Sequence, residues 1–326
     1  MESNNFLGKI FKKTSLQSCK YLCSSIVFDY KNNIKLCPYS NEFIIKENYD
    51  GIWLDIDYLN KKKQEYIDQN QKEISSVCVY CHLKKIKLLK RKNPVETLIL
   101  SNWKYCYLNC SYCDSPKEED LIKAKHYDLY NTIVQLFDSN IIDTKTKIIF
   151  ESGDATIHPE FDKLMYYFIN MGFQHIVVNS PAMRYCESIA EAIGKNICNL
   201  IVSFDSGCPY IYERVKGVNK FDIAISNIKR YLGFQLPSEK RVALKYTLVN
   251  GVNDNQKELL DWFMLARDLG VKKLAFDIED KWFNQLKHSV PQYLKELLVF
   301  VKNMSVYNNI EIEYSDKIDS VYNSIK

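Results

Sequence analysis

The chain lacks any apolar run long enough to span a bilayer, and residues 1–14 lack the continuous apolar segment of a secretory signal. It also lacks a strong excess of either charge, because a net charge of +4 is small for 326 residues. The lysine-rich runs at residues 61–63 and 90–92 are short and typical of solvated surfaces. We therefore expect a cytoplasmic protein without a membrane or nucleic-acid partner.

The sequence contains no internal repeat beyond an alternation of strand-like and helix-like segments. Hydrophobic residues make up 46% of it and charged residues 26%, which is typical of a folded protein and not of a disordered one. A length of 326 residues accommodates one barrel of moderate size and a smaller module.

Cysteine, in contrast, is abundant, with eleven residues. In a chain of this size without a signal, metal binding or catalysis explains them better than disulfides do. Three of them, Cys106, Cys110 and Cys113, form a CxxxCxxC pattern. Three thiolates at this spacing can hold three irons of a [4Fe–4S] cluster and leave the fourth iron open to an external ligand. Asparagine and serine between the cysteines, with aspartate and proline after them, predict a loop and not a helix.

A second group of cysteines precedes residue 82: Cys19, Cys23, Cys37, Cys78 and Cys81. Around them, residues 26–35 predict a β-hairpin and residues 59–75 a helix. A module with so small a core needs a metal to hold it together. Zinc bound by four thiolates is one candidate, and an Fe–S cluster is the other. The CxxC pair and Cys37 are the expected ligands, and one of the two earlier cysteines completes the set.

From Pro94 onward, apolar β-type segments alternate with helical patterns, which indicates a parallel sheet with crossover helices. The predicted strands are residues 96–102, 147–151, 175–179, 200–205, 242–249 and 273–277, with an edge strand at 310–313; helices include 159–171 and 256–269. We predict an α/β fold, a partial (βα)6 TIM-type barrel at residues 93–326 preceded by the Cys-rich metal-binding module at residues 1–92. A doubly wound sheet gives a similar pattern, and the cysteine loop after the first strand favours the barrel.

The cysteine loop, with Tyr112 before its last cysteine, resembles that of the radical S-adenosylmethionine (SAM) family, where it follows the first strand of a partial barrel. The resemblance implies that the open iron binds the amino and carboxylate groups of SAM. It implies that reduction then releases a 5′-deoxyadenosyl radical, which abstracts a substrate hydrogen. A one-electron reductant such as flavodoxin or ferredoxin is the implied partner.

The N-terminal hairpin, Cys37, the segment around Trp53 and the CxxC pair are similar to the SPASM/Twitch auxiliary-cluster modules of that family. Those modules usually follow the barrel, whereas this one precedes it. The resemblance favours a second, auxiliary Fe–S cluster over zinc in this module.

Further positions follow from the same resemblance. After the second strand, Ser-Gly-Asp-Ala is similar to the family's Gly-Gly-Glu-Pro segment, so Gly153 and Asp154 are the implied contacts to SAM's amino group. Asn179, at the end of the third strand, is implied to lie beside the cofactor. Ser203, at the end of the fourth, is implied to bond the SAM ribose. Arg214 is implied to pair with the SAM carboxylate, because a guanidinium can grip both oxygens.

Several other residues could take part in the chemistry or be structural. A thiol at Cys208 could return a hydrogen atom to a substrate radical, as in peptide epimerases of this superfamily, or could be an inert buried cysteine. His158 is predicted to be a structural turn residue and not a base. Lys245 and Tyr246 on the fifth strand, and Asp277 and Glu279 after the sixth, are expected to lie nearest the substrate.

The expected function is an oxidoreductase or peptide-modifying reaction, in which a radical SAM enzyme oxidises or epimerises a peptide. A small-molecule substrate such as a sugar or alcohol is the alternative. A catalytically inactive, metal-stabilised binding protein is a second alternative, consistent with the altered segment at residues 152–155. No B12-binding domain is recognisable, so a cobalamin methyltransferase is not expected.

Overall fold

The computed structural model describes residues 18–72, 78, 81, 84–85, 93–113, 128–286 and 289–325. These residues divide into two compact units, one within Met1–Ile99 and Tyr127–Thr146 and the other within Leu100–His126 and Lys147–Lys326. No described helix has both the length and the apolar character needed to cross a bilayer.

The N-terminal unit is built from short strands and three described helices. In chain order its elements are β1 (Ser18–Cys19), α1 (Lys20–Ser24), β2 (Ser25–Asp29), β3 (Ile34–Lys35), β4 (Ile44–Lys46), α2 (Ile56–Lys72), β5 (Lys84–Lys85), β6 (Thr97–Ser101, which continues into the second unit) and α3 (Tyr130–Asp138). Strand β3 pairs antiparallel with both β2 and β4, and β1 pairs antiparallel with β5. The predicted hairpin and helix are confirmed.

The hairpin turn is fixed by one carboxylate. Asp29 Oδ1 accepts hydrogen bonds from the Lys31 and Asn33 amides, both at 2.9 Å. Asn32 between them has a positive φ of 60°, a conformation that asparagine tolerates well. The turn therefore follows from local sequence, with an aspartate bonding the backbone ahead of it.

Residues 128–146, which the sequence analysis assigns to the barrel domain, pack in the N-terminal unit. The buried Tyr49 hydroxyl lies 2.6 Å from Thr132 Oγ1 on α3. Gln135, one turn further along, bonds both the amide and the carbonyl of Leu54, at 3.1 and 2.6 Å. These contacts join segments 81 or more residues apart, so local sequence patterns could not reveal them.

The second unit contains parallel strands alternating with helices. Its strands are β7 (Lys147–Phe150), β8 (Ile176–Ser180), β9 (Cys198–Ser203), β10 (Val242–Leu248), β11 (Lys273–Ile278) and β12 (Glu311–Tyr314). Its helices are a 3-10 turn (Ala155–Ile157), α4 (Phe161–Asn170), α5 (Glu187–Gly194), α6 (Pro209–Lys216), α7 (Phe221–Leu232), α8 (Gln256–Leu269), α9 (Asp280–Leu286), α10 (Gln292–Asn308) and α11 (Asp316–Ile325). The predicted strands agree with the observed ones to within two residues.

Each strand from β7 to β12 pairs in parallel with the next along the chain. A doubly wound sheet would reverse its strand order at a switch point. The sequential order of the described strands therefore identifies an α/β fold with a mostly parallel sheet, as in a partial TIM-type barrel.

The pattern of burial defines two faces of this sheet. In β9, Cys198, Leu200 and Val202 are fully buried, whereas the residues between them are half-buried. The register places Ser203 beside Lys245, and Thr247 beside Asp277. Polar side chains thus gather at the carboxyl ends of the strands, where parallel α/β folds carry their sites.

Candidate active site

The cysteine loop follows β6 and is held on both sides by backbone hydrogen bonds. On one side, Tyr105 O accepts from the amide of Asp154, at 2.8 Å. On the other, the amides of Asn109 and Ser111 donate to the last two carbonyls of α6, at 2.9 and 2.8 Å. The loop is therefore fixed between the segment after β7 and the end of α6.

Two glycines permit this close approach. Gly153 has a φ of +57°, and a Cβ there would lie 2.6 Å from Tyr105 O. Gly217 has a φ of +70°, and a Cβ there would lie 2.5 Å from Asn109 O. Any other residue at either position would both strain the backbone and collide with the loop. The sequence analysis named Gly153 as a site residue and missed Gly217. Its position directly after a helix, where glycine is common, could have identified it.

The three loop thiols differ in their exposure to solvent. Cys106 and Cys110 are half-buried and Cys113 is exposed. Burial raises the pKa of Cys106 to about 12, although a bond from the Leu108 amide opposes the shift. Burial also raises the pKa of Cys110, against the opposing charge of Lys216, and Cys113 adds to the rise. Iron binding would have to displace these protons, because thiolates and not thiols are the ligands.

The donor set suits iron by its chemistry. Three soft thiol ligands lie on one short loop, where Cys110 contributes to the raised pKa of Cys106 and Cys113 to that of Cys110, each after burial as the main cause. Among the described residues, no three cysteine, histidine or carboxylate side chains are grouped as closely as a bound metal ion requires.

Asp154 presents one unused carboxylate oxygen. Its Oδ1 accepts from Thr156 N at 3.2 Å, Thr156 Oγ1 at 2.7 Å and Ser180 Oγ at 3.0 Å. The residue is fully buried, and Oδ2 has no hydrogen-bond partner among the described residues. Burial raises the carboxyl pKa, and the three hydrogen bonds oppose that rise. A cationic donor such as an ammonium group fits this oxygen. Ser180, which the sequence analysis missed, orients the carboxylate.

A buried ion pair lies under the loop. Asp205 Oδ2 accepts from the Tyr112 hydroxyl at 2.6 Å and from Lys216 Nζ, while Oδ1 accepts from the Thr247 amide at 2.6 Å. The side chains of Lys216 and Asp205 are 1% and 0% exposed. Burial lowers the pKa of Lys216, but Asp205 and Cys110 outweigh it, so the net shift is upward. Lys216 therefore stays charged.

Lys216, and not Arg214, is the cation that faces the loop. Arg214 is exposed, with its guanidinium 5.8 Å from the Tyr210 ring centroid. Asn179 is half-buried and donates a long 3.4 Å bond to Phe150 O, and Ser203 is half-buried at the end of β9. The structure thus gathers the loop, Gly153 and Asp154, and leaves Arg214 on the surface.

Cys208 directly precedes α6 and contacts a buried carboxylate. Its Sγ lies 3.5 Å from Glu258 Oε2, and Glu258 Oε1 accepts from Gly207 N at 2.6 Å and Ser206 Oγ at 2.9 Å. Burial is the main cause that raises the pKa of both Cys208 and Glu258. His158 Nδ1 accepts from the Glu160 amide at 3.0 Å, so its predicted role in a turn is confirmed.

The N-terminal cysteines differ in exposure. Cys19, Cys23 and Cys37 are buried, and Cys78 and Cys81 are half-buried. Burial raises the pKa of Cys37, and Cys19 and Cys81 add to the rise. Burial raises the pKa of Cys23 to about 11, again with Cys19 contributing. Cys19 is thus within electrostatic reach of Cys23 and Cys37, and Cys81 of Cys37, and the identity of any metal there stays a prediction.

The Radical SAM superfamily profile matches residues 103–263. This range contains the loop, both anchoring glycines, Asp154 and the Asp205–Lys216 pair. Residues 103–263, about half of the chain, therefore carry a radical SAM domain.

Two curated relatives are similar to part of the chain. GTP 3′,8-cyclase of Haemophilus influenzae is 24% identical over 167 residues, 51% of this chain and 49% of the relative. The probable dual-specificity RNA methyltransferase RlmN of Clostridioides difficile is 26% identical over 176 residues, 50% of this chain and 49% of the relative. The chain thus spans about half the length of the curated relatives it matches. Both relatives are named as enzymes.

Solved structures share the fold. Streptococcus suis SuiB bound to the precursor peptide SuiA has a TM-score of 0.53 at 10% identity, over 82% of this chain and 65% of that one. SuiB bound to S-adenosylmethionine has a TM-score of 0.51 at 12% identity, over 81% and 57%. At these identities the likeness shows the fold alone.

Proposed function

We propose that this protein is a radical SAM enzyme whose [4Fe–4S] cluster is held by Cys106, Cys110 and Cys113. The observation that carries the proposal is the loop fixed between Gly153 and Gly217 within the matched domain. When bound, the cluster and SAM supply one-electron cleavage of the S–C5′ bond and a 5′-deoxyadenosyl radical that abstracts a substrate hydrogen. The protein positions both groups and excludes water.

The SAM contacts are assigned by chemistry. Asp154 Oδ2 receives the ammonium group, because it is a buried acceptor without a partner among the described residues. Lys216 takes the carboxylate contact predicted for Arg214, because an ammonium has three donors and this one has two hydrogen-bond partners among the described residues, Asp205 and Tyr112. Asn179 and Ser203 keep their predicted places beside the nucleoside.

For the substrate, we propose a peptide that is oxidised or epimerised. The fold shared with SuiB, whose structure holds a precursor peptide, supports this choice. In the epimerising case, the Cys208 S–H would give its hydrogen atom to the substrate carbon radical and leave a thiyl radical, which the one-electron reductant would return to the thiol with a proton. The relative named GTP 3′,8-cyclase favours a small-molecule substrate as the second candidate.

For the N-terminal module, we propose an auxiliary Fe–S cluster, with zinc as the alternative. Cys37 and the CxxC pair remain the expected ligands. The influence of both Cys19 and Cys81 on Cys37 supports a shared site and favours Cys19 over Cys23 as the fourth ligand. Such a cluster could bind the substrate or accept an electron from the product radical.

The test measures iron and sulfide after anaerobic reconstitution, together with 5′-deoxyadenosine formation. Replacing the three loop cysteines by Ala should lower iron from about eight to about four per chain and abolish 5′-deoxyadenosine. The control replaces Cys186 and Cys198, which are buried and belong to neither cysteine set. It should keep the iron content and the formation of 5′-deoxyadenosine. SAM cleavage that persists in the loop variant would refute the proposal. About four irons falling to none, with zinc present, would make the N-terminal module structural.

A further inference from the structure

One buried hydroxyl on α6 is not used by the proposed site. Tyr212 is fully buried, with its ring centroid 5.0 Å from that of Phe204 and 5.6 Å from that of Phe221. The ring is thus packed in the core, yet its hydroxyl has no hydrogen-bond partner among the described residues. A buried hydroxyl without a partner costs free energy, so its retention calls for an explanation.

The position of Tyr212 on the helix directs this hydroxyl toward the cysteine loop. Tyr212 and Lys216 are four residues apart on α6 and therefore share one face. That face meets the loop, because Val215 O accepts from Ser111 N and Lys216 Nζ lies 3.5 Å from the Tyr112 hydroxyl. Burial is the main cause that raises the pKa of Tyr212, and the nearby Cys110 and Cys106 add to the rise.

We propose that the Tyr212 hydroxyl donates a hydrogen bond to a sulfur of the cluster held by the loop and thereby raises its reduction potential. The inference rests on the proposed function, because it needs a cluster at the loop. An O–H donor suits a thiolate or sulfide acceptor, whereas Asp154 Oδ2, another buried atom without a partner among the described residues, is an acceptor and suits a cation. A hydrogen bond to sulfur stabilises the more negative, reduced cluster.

The experiment compares Tyr212→Phe with Tyr246→Phe in the full chain. Tyr246 is also fully buried, but its hydroxyl already donates to Asn253 O at 2.7 Å. For each protein we would measure thermal unfolding of the metal-free form, iron and sulfide after reconstitution, and the midpoint potential of the cluster whose EPR signal responds to SAM. Electron–nuclear double resonance in H₂O and D₂O would detect an exchangeable proton coupled to the reduced cluster.

If the inference holds, metal-free Tyr212→Phe is at least as stable as the wild type, whereas metal-free Tyr246→Phe is less stable. Only Tyr212→Phe shifts the midpoint potential to a more negative value and loses the exchangeable coupling. An unchanged potential and coupling in fully loaded Tyr212→Phe would overturn the inference alone. Absence of iron at the loop in the wild type would overturn both the inference and the proposed function.

Discussion

The two cysteine sets of this chain are held in different ways. The loop set spans eight residues, and hydrogen bonds and glycine contacts fix its backbone against the segment after β7 and the end of α6. The N-terminal set is spread between residues 19 and 81, on separate strands, helices and turns. Cysteines that are close in sequence are held near one another by the local backbone, whereas cysteines far apart in sequence come together only when the chain has folded.

The two sets also share one feature. Each has a fully buried lysine whose charge opposes the rise in thiol pKa, Lys216 at Cys106 and Cys110, and Lys63 at Cys23. A buried ammonium favours the anionic thiolate, which is the form that binds a metal. The sets therefore differ in how they are anchored and resemble each other in electrostatics.

The largest change in the free energy of unfolding is expected when the ion pair under the loop is broken. Asp205→Asn should destabilise the metal-free protein by about 3–5 kcal/mol, because it leaves Lys216 charged and buried without its partner. Adding Lys216→Met should recover much of that loss. The free energy of unfolding in urea is the measurement.

The matched control is Glu311→Gln, which breaks the surface pair with Lys240, whose side chains are 48% and 46% exposed. It should cost less than about 1 kcal/mol. An Asp205→Asn variant as stable as this control would show that the buried pair does not anchor the loop.

A smaller effect is expected when the loop contact itself is disturbed. Gly153→Ala should destabilise the protein by about 3 kcal/mol and lower iron uptake at the loop, because the new Cβ collides with Tyr105 O at a positive φ. Gly172→Ala is the control, since Gly172 has a φ of +78° with nothing within 4 Å, and backbone strain alone should cost about 1–2 kcal/mol. Equal losses in the two variants would remove the loop contact from the explanation.

The smallest effect concerns the hairpin that carries Cys37. Lys35 Nζ lies 3.4 Å from Asp29 Oδ2, with the two side chains 9% and 6% exposed. Lys35→Met should cost about 2 kcal/mol, because Asp29 keeps its backbone donors but loses this cation. Lys31→Met, at an exposed position of the same turn, should change stability by less than about 0.5 kcal/mol. Urea unfolding and metal content would be measured together, and a Lys35→Met loss no larger than the control's would contradict the anchoring role.

Much of the parallel sheet was predictable because its signals are local. Strand positions followed from apolar β-type segments, and α8 was predicted with its observed bounds, since Asn255 caps its start and Gly270 ends it. Asp205 lies past the end of β9 and has a φ of +61°. A left-handed residue leaves the strand, so alternation no longer sets the direction of its side chain.

The sequence could not predict which cation on α6 faces the cysteine loop, and the reason is physical. Arg214 and Lys216 are two positions apart, so their side chains point about 200° apart around α6 and one faces out when the other faces in. The sequence favoured arginine for its bidentate geometry, whereas the phase of the helix turns Lys216 toward the loop and Arg214 toward the surface. That phase is set by the burial of Tyr212 and Val215 in the core.

Local sequence was enough to predict the alternating strands and helices, the cysteine loop and the strand ends at which the candidate site residues lie. Periodicity, spacing and turn chemistry are properties of neighbouring residues, so they can be read directly. Tertiary structure alone decided that residues 128–146 join the N-terminal unit, that Ser180 orients Asp154 and that Lys216 and Asp205 pair in the core. Those outcomes depend on packing between distant segments, which no local pattern records.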